Sequence, residues 1–175
     1  MNISDKALSE RFEFRSIYKN EADQAVDIEQ ICFPPNEACS EKNMKDRIAK
    51  ASELFLVAVD KTTGKLAGLL NGLATNEDVF RDEFFTNAEL YEPSGKNVMI
   101  LGLDVLPEYR MQGLGRELMS QYIRRERNNG RRMVKLTCLE PKVNMYKKMG
   151  FRDEGISNSV LGGEEWHEMS YVIEI

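Results

Sequence analysis

Apolar positions in this chain fall into two rhythms, short near-continuous runs and stripes at helical spacing, and the two alternate along its length. Residues 12–18 read as a strand. Asn20 then offers an N-cap to a helix carrying Ala22, Ala25 and Val26 on one side, which Phe33-Pro34-Pro35 breaks. Ser40 can cap a second helix with Met44, Ile48 and Ala51 at near-helical spacing. The run 54–59 and its return 66–74, joined by a polar turn with Gly64, predict two antiparallel strands. A strand over 98–106 breaks at Pro107 and re-enters through a glycine turn as a helix, with Leu114, Leu118, Met119 and Tyr122 inward and an end near Gly130. Residues 133–139 predict another strand, and Pro141 starts a helix that Gly150 stops. Strands from Phe151 and over 166–173 close the pattern. The sum is a mixed α/β sheet with helices on both faces.

No repeat, low-complexity tract or linker divides the 175 residues, so one domain over residues 1–175 is expected, long enough to bury a sizeable core. A formal charge of −5 argues against general nucleic-acid or anionic-membrane binding and points to small molecules or cationic groups as partners. The start has no apolar run and no stretch is apolar enough to span a bilayer, so a soluble, unexported chain is expected. Cys32, Cys39 and Cys138 are odd in number and lack metal-like pairing, which suits a reducing cytoplasm. Residues 76–96 form the least regular segment; six acidic and two basic side chains give it a charge of −4, and it reads as a surface excursion or a lid.

The chemistry concentrates in Leu103-Asp104-Val105-Leu106-Pro107-Glu108-Tyr109-Arg110-Met111-Gln112-Gly113-Leu114-Gly115-Arg116. Two glycines let main chain approach an anion, and the first turn of the following helix offers unpaired N–H groups. A nucleotide P-loop would need Gly-Lys-Ser/Thr where Gly115-Arg116-Glu117 stands, and the dinucleotide fingerprint a third glycine in place of Leu118. Neither fits.

Arg-x-x-Gly-x-Gly after a strand and a Pro-x-Tyr step resembles the central motif of the GNAT superfamily of acetyl-CoA-dependent N-acetyltransferases, and Tyr146-Lys147-Lys148-Met149-Gly150-Phe151 resembles its second signature. The order of elements matches over nearly the whole chain. Phe33 to Ser40, with Met44 and Arg47 behind, resembles the branch related to serotonin N-acetyltransferase. The resemblance implies a splayed central sheet of about six or seven strands and a co-substrate, acetyl-CoA, with no metal. It implies that the main chain of Leu103, Asp104 and Val105 pairs with the pantetheine arm, and that Met111, Gln112, Gly113, Leu114, Gly115 and Arg116 surround the pyrophosphate. It places Tyr146 near the thioester sulfur. A phenol stays protonated at neutral pH and can act as general acid there.

The oxyanion donor is expected to be a main-chain N–H near Leu103 or Val105, freed by a bulge. The base is open. Met99 and Leu101 stand where the serotonin enzyme carries a His-x-His pair, so that relay is absent. Glu37 and Glu140 are candidates to hold a water or an ammonium group, His167 is a weaker one, and the acceptor can also lose its proton to bulk water. Cys138 is an alternative, covalent route. Arg124, Arg125, Arg127, Arg131 and Arg132 could contact the ribose phosphate of CoA, but the preferred reading is that they complement the helix C-terminus and are otherwise solvated. The expected activity is direct transfer of an acetyl group to a primary amine, of a small molecule or of a protein. The alternative is a non-catalytic acyl-CoA-binding module. Strand edges in this architecture allow a homodimer.

Overall fold

Every apolar run named above forms a strand, and the order in which the strands lie creates a gap at the motif strand. The structure is a computed structural model, and it describes residues 3–173. In chain order it runs α1 (Ile3–Arg11), β1 (Phe12–Ser16), α2 (Ala22–Cys32), α3 (Glu41–Ala51), β2 (Phe55–Asp60), β3 (Leu66–Thr75), α4 (Glu83–Thr86), β4 (Asn97–Val105), α5 (Leu114–Asn128), β5 (Met133–Cys138), α6 (Val143–Lys148), β6 (Arg152–Ile156) and β7 (His167–Val172). One seven-stranded sheet has the order β1-β2-β3-β4-β5-β7-β6. All neighbours are antiparallel except β4 and β5.

The strand period of two puts alternate residues on opposite faces. Phe55, Val57 and Leu69 pack with Ala25 and Ile28 of α2 and with Met44 and Ile48 of α3. Leu56, Ala58 and Leu70 belong to the other cluster, with Leu114, Leu118, Met119 and Tyr122 of α5. Helices therefore cover both faces, as the pattern predicts.

The differences from the sequence reading have local causes. Helix α1 was not anticipated because its residues carry no apolar stripe; among those whose side chains are described, only Leu8 enters the core. Asn20 does not cap α2, since residues 19–21 form a 3-10 turn and the helix starts at Ala22. Ser40 does cap α3, its Oγ accepting the Asn43 N–H at 3.1 Å. Residues 76–96 are tied down rather than solvated throughout. Phe80 and Phe84 are fully buried, the Phe80 N–H reaches Glu168 Oε1 at 3.0 Å, and Glu92 accepts from Thr75 and Asn76. The basic run also departs from expectation. Arg131 is buried, bonded to Glu126 and to the carbonyls of Pro93 and Gly95, and Arg125 lies over the Tyr122 ring.

Candidate active site

Strands β4 and β5 pair only where Asn97, Val98 and Met99 face Met133, Val134 and Lys135; beyond that the strands diverge. On the other side of β4 the register with β3 slips, Asn71 facing Gly102 and Gly72 facing Ile100, so that Leu101 is the extra residue of a bulge. The bulge thus falls two positions before the Leu103 expected for it. From there to Val105, alternate main-chain groups of β4 turn toward β3 and toward the gap. The Leu106 N–H bonds to Ala67 O, and Asp104 O lies against Gly68, which leaves Leu103 and Val105 facing the gap. Of the three residues expected to present main chain there, Asp104 is therefore turned away. The gap opens into a cleft of about 820 Å³ walled by α2, β4, the glycine turn, β5 and α6.

At one end of the cleft lies the N-terminus of α5. Gly113 has φ +82°, a left-handed conformation suited to glycine, and Met111 is a non-glycine residue at φ +63° with a fully exposed side chain. The first intrahelical bond runs from Glu117 N–H to Gly113 O at 3.0 Å, and no side chain caps the turn. The preceding N–H groups therefore point outward with no intrahelical acceptor. Gly115 needs no unusual conformation. A β-carbon there would sit 3.8 Å from Leu103 and Val105 side chains, an ordinary contact, so packing alone does not demand a glycine. Its bareness keeps the mouth of the helix open. Met111, Gly113, Leu114, Gly115 and Arg116 line the cleft; the Gln112 side chain instead accepts from Arg11 Nη1 at 2.5 Å. Arg110 Nε and the Cys32 thiol both donate to Val105 O, at 2.9 and 3.3 Å.

On the opposite wall, Tyr146 projects from α6. The Phe151 N–H closes back on Tyr146 O at 3.0 Å, and Gly150, at φ +100°, makes that reversal, which is why the signature couples a tyrosine to Gly-Phe. The Phe151 ring meets Tyr146 edge-on at 5.8 Å. Burial, then the neighbouring Cys138 and Asp104, pushes the phenol up, so it remains an O–H donor. Cys138 also lines the cleft, but burial pushes its thiol up to about 11. A thiol held protonated is a poor nucleophile.

Of the acidic candidates, Glu37 lines the cleft, its carboxyl raised by burial and then by Glu164. Glu140 is exposed and off the lining. His167 sits on β7 with Nδ1 3.2 Å from both Asp153 oxygens, also off the lining. Met99 is buried in the core, while Leu101 reaches the cleft.

The fold also gathers a polar group that the sequence pattern does not bring together. Glu29, Arg47, Asn71 and Asp104 are buried together on the α2 side of β4. Arg47 Nη1 donates to Asn71 Oδ1 at 2.7 Å and Nη2 to Phe85 O at 2.9 Å; Glu29 Oε2 accepts the Cys39 N–H at 2.8 Å. The signal was available. Glu29 shares the inward stripe of Ala25 and Ile28, and Asp104 and Asn71 interrupt apolar runs, each a polar residue where the pattern requires an apolar one.

A family model for the acetyltransferase (GNAT) family matches residues 22–151. Among solved structures, the loading GNATL domain of CurA from Lyngbya majuscula has a TM-score of 0.79 at 16% identity, with 93% of this chain and 98% of that one covered. Ard1 from Thermoplasma volcanium has a TM-score of 0.75 at 18% identity, covering 94% and 99%. The phosphinothricin acetyltransferase of Sinorhizobium meliloti, solved in complex with AcCoA, has a TM-score of 0.67 at 16% identity, covering 93% and 89%. No curated protein matches the chain by sequence.

Proposed function

We propose, from the premise that the chain belongs to the acetyltransferase (GNAT) family, that it binds acetyl-CoA along the free edge of β4 and passes the acetyl group directly to a primary amine. The observation that carries this reading is the junction of three features in one cleft: an unpaired strand edge, an uncapped helix N-terminus and the Tyr146 phenol. The Leu103 main chain and the Val105 N–H face the gap and suit an amide-bearing arm in the manner of an added strand, the Val105 carbonyl being already taken by Arg110 and Cys32. The turn from Met111 to Arg116 suits a pyrophosphate, since the N–H groups and the helix dipole both favour anions. The bulge at Leu101 frees main chain from the ladder beside the reacting carbonyl, where an N–H donor stabilises the oxyanion. Tyr146 then gives its proton to the departing sulfur.

The resemblance of Phe33 to Ser40 supports reading the chain as nearest the serotonin N-acetyltransferase-like branch, with Met99 and Leu101 in place of that enzyme's histidines. A small cationic amine is the preferred acceptor because the cleft mouth carries Glu37 beside Glu164. The same reading takes the chain as a single domain. Three free cysteines fit a cytoplasmic setting, and no helix among the described residues is long and apolar enough to cross a membrane. The edge strand β6 leaves room for a homodimer.

Titration calorimetry with acetyl-CoA, combined with thiol release over a panel of amines, tests the activity. Binding with amine-dependent release is expected; binding without release from any amine would favour a non-catalytic acyl-CoA module, and no binding would remove both. Gly115→Asp sharpens the cofactor assignment. A carboxylate in the first helical turn leaves thermal stability equal or slightly higher, by about 0.3–1 kcal/mol. It is nevertheless expected to weaken acetyl-CoA binding by at least about tenfold, roughly 1.4 kcal/mol, through repulsion of the pyrophosphate. Unchanged affinity would move the pyrophosphate elsewhere.

A further inference from the structure

We infer that Glu29, backed by the buried Asp104, is the group that takes the proton from the attacking amine; this rests on the acyl-transfer reading above. Three polar atoms converge beside Gly102. A β-carbon built on that glycine would lie 3.0 Å from Asp104 Oδ1, 3.2 Å from Asn71 Nδ2 and 3.3 Å from Glu29 Oε1. None of these atoms, nor Asp104 Oδ2, receives or makes a hydrogen bond with another residue described, although each is buried. Buried polar groups in a folded chain have partners, and two carboxyls that face one another need a proton between them. Burial, then Glu29, pushes the Asp104 acid well above the ordinary carboxylate range, which favours its neutral form.

Glu29 and Gly102 both line the cleft and Asp104 does not, so Glu29 is the member of the pair that borders the space a substrate would fill. Asp104 is a positioning residue. Arg47 compensates one negative charge in the cluster, fixed by Asn71 and the Phe85 carbonyl. The other titratable groups around Glu29 are Cys32 and Cys39, both raised first by burial, with Arg110 beyond Cys32 and Tyr146 beyond Asp104. Raised thiols do not titrate in the neutral range, so they supply no acid limb there.

The step balances as follows. The Glu29 carboxylate takes one proton from the acceptor ammonium, and the freed lone pair forms the C–N bond at the thioester carbon. Collapse of the tetrahedral oxyanion breaks the C–S bond, and the sulfur takes the Tyr146 proton. The nitrogen's second proton restores Tyr146. Glu29 returns the first to solvent, so the products are amide, thiol and one proton.

The test is thiol release from acetyl-CoA against pH, for two amines of different basicity, by the wild type, Glu29→Gln, Glu29→Asp and Asp104→Asn. The wild type is expected to show one acid limb at the same pH for both amines. In Glu29→Gln, kcat/KM falls roughly a hundredfold, the limb follows each amine's own ionisation, and acetyl-CoA affinity holds. Glu29→Asp keeps the shared limb, and Asp104→Asn moves it. A wild-type limb that tracks the amine, or a Glu29→Gln enzyme with unchanged rates, overturns the inference; if that variant does not fold, the wild-type profiles decide. Acetyl-CoA binding with no release by the wild type from any amine sinks the acyl-transfer reading and this inference together, a result distinct from release indifferent to Glu29.

Discussion

Arg131→Met is expected to cost about 3–5 kcal/mol of folding stability, the range for removing one partner of a buried ion pair. Arg131 Nε donates to Glu126 Oε2 at 2.9 Å, with side-chain exposures of 7% and 0%. Its Nη1 also reaches Pro93 O at 2.8 Å and Gly95 O at 2.5 Å. The substitution therefore strands a buried carboxylate at the end of α5 and removes the donor that holds the approach to β4. Arg125 lies 3.6 Å from Glu126 and Asn129 at 3.4 Å, too long to replace the lost contact fully. In a chain of this size each kcal/mol shifts the melting temperature by about 2–4 °C, so a fall on the order of 10 °C is expected in a thermal melt. Exchanging both partners for apolar residues should recover much of the loss, because an apolar pair carries no desolvation cost. A single-variant loss below about 1 kcal/mol, the level of an exposed pair, would show that water enters the cluster.

Tyr146→Phe is expected to lower kcat by about 10²–10⁴, the usual weight of a general acid, with acetyl-CoA affinity nearly unchanged. The phenol sits among Cys138, Met145 and Met149 on the cleft wall, and the Phe151 ring holds its face. Removing one oxygen leaves that packing in place. Burial keeps the proton on oxygen in the resting state, and the charge growing on sulfur draws it across. A thioester whose thiol is a better leaving group needs less protonation, so the penalty should shrink with it. Loss of binding in step with kcat would instead make Tyr146 a packing residue, and an unchanged kcat would place the acid elsewhere.

Much of the fold was legible because the core-facing rhythm is strong. Strands β2 to β5 and helices α3 and α5 lie within a residue or two of the ranges that periodicity and caps predict. Helix α1 was not legible, since nothing in its side chains repeats at the helical period and its place follows from what it packs against. The glycine turn and the Tyr-x-x-x-Gly-Phe helix end were legible because each spells out a backbone requirement locally: a left-handed Gly113, an open Gly115 and a reversing Gly150. The burial of Arg131 is not legible in the sequence because the carbonyls it binds, those of Pro93 and Gly95, are far from it along the chain.

The sequence by itself determined the alternation of elements, the positions of the two signatures and the family they resemble, since these depend on neighbours along the chain. Only the tertiary structure decided which β4 residues face the gap. That depends on the strand β4 has lost beyond Met99 and on the slip at Leu101, and a register is a property of two strands. Only the tertiary structure gathered Glu29, Arg47, Asn71 and Asp104 from two helices and two strands around Gly102. Burial and proximity set the protonation of such a group, and neither exists until the chain has folded.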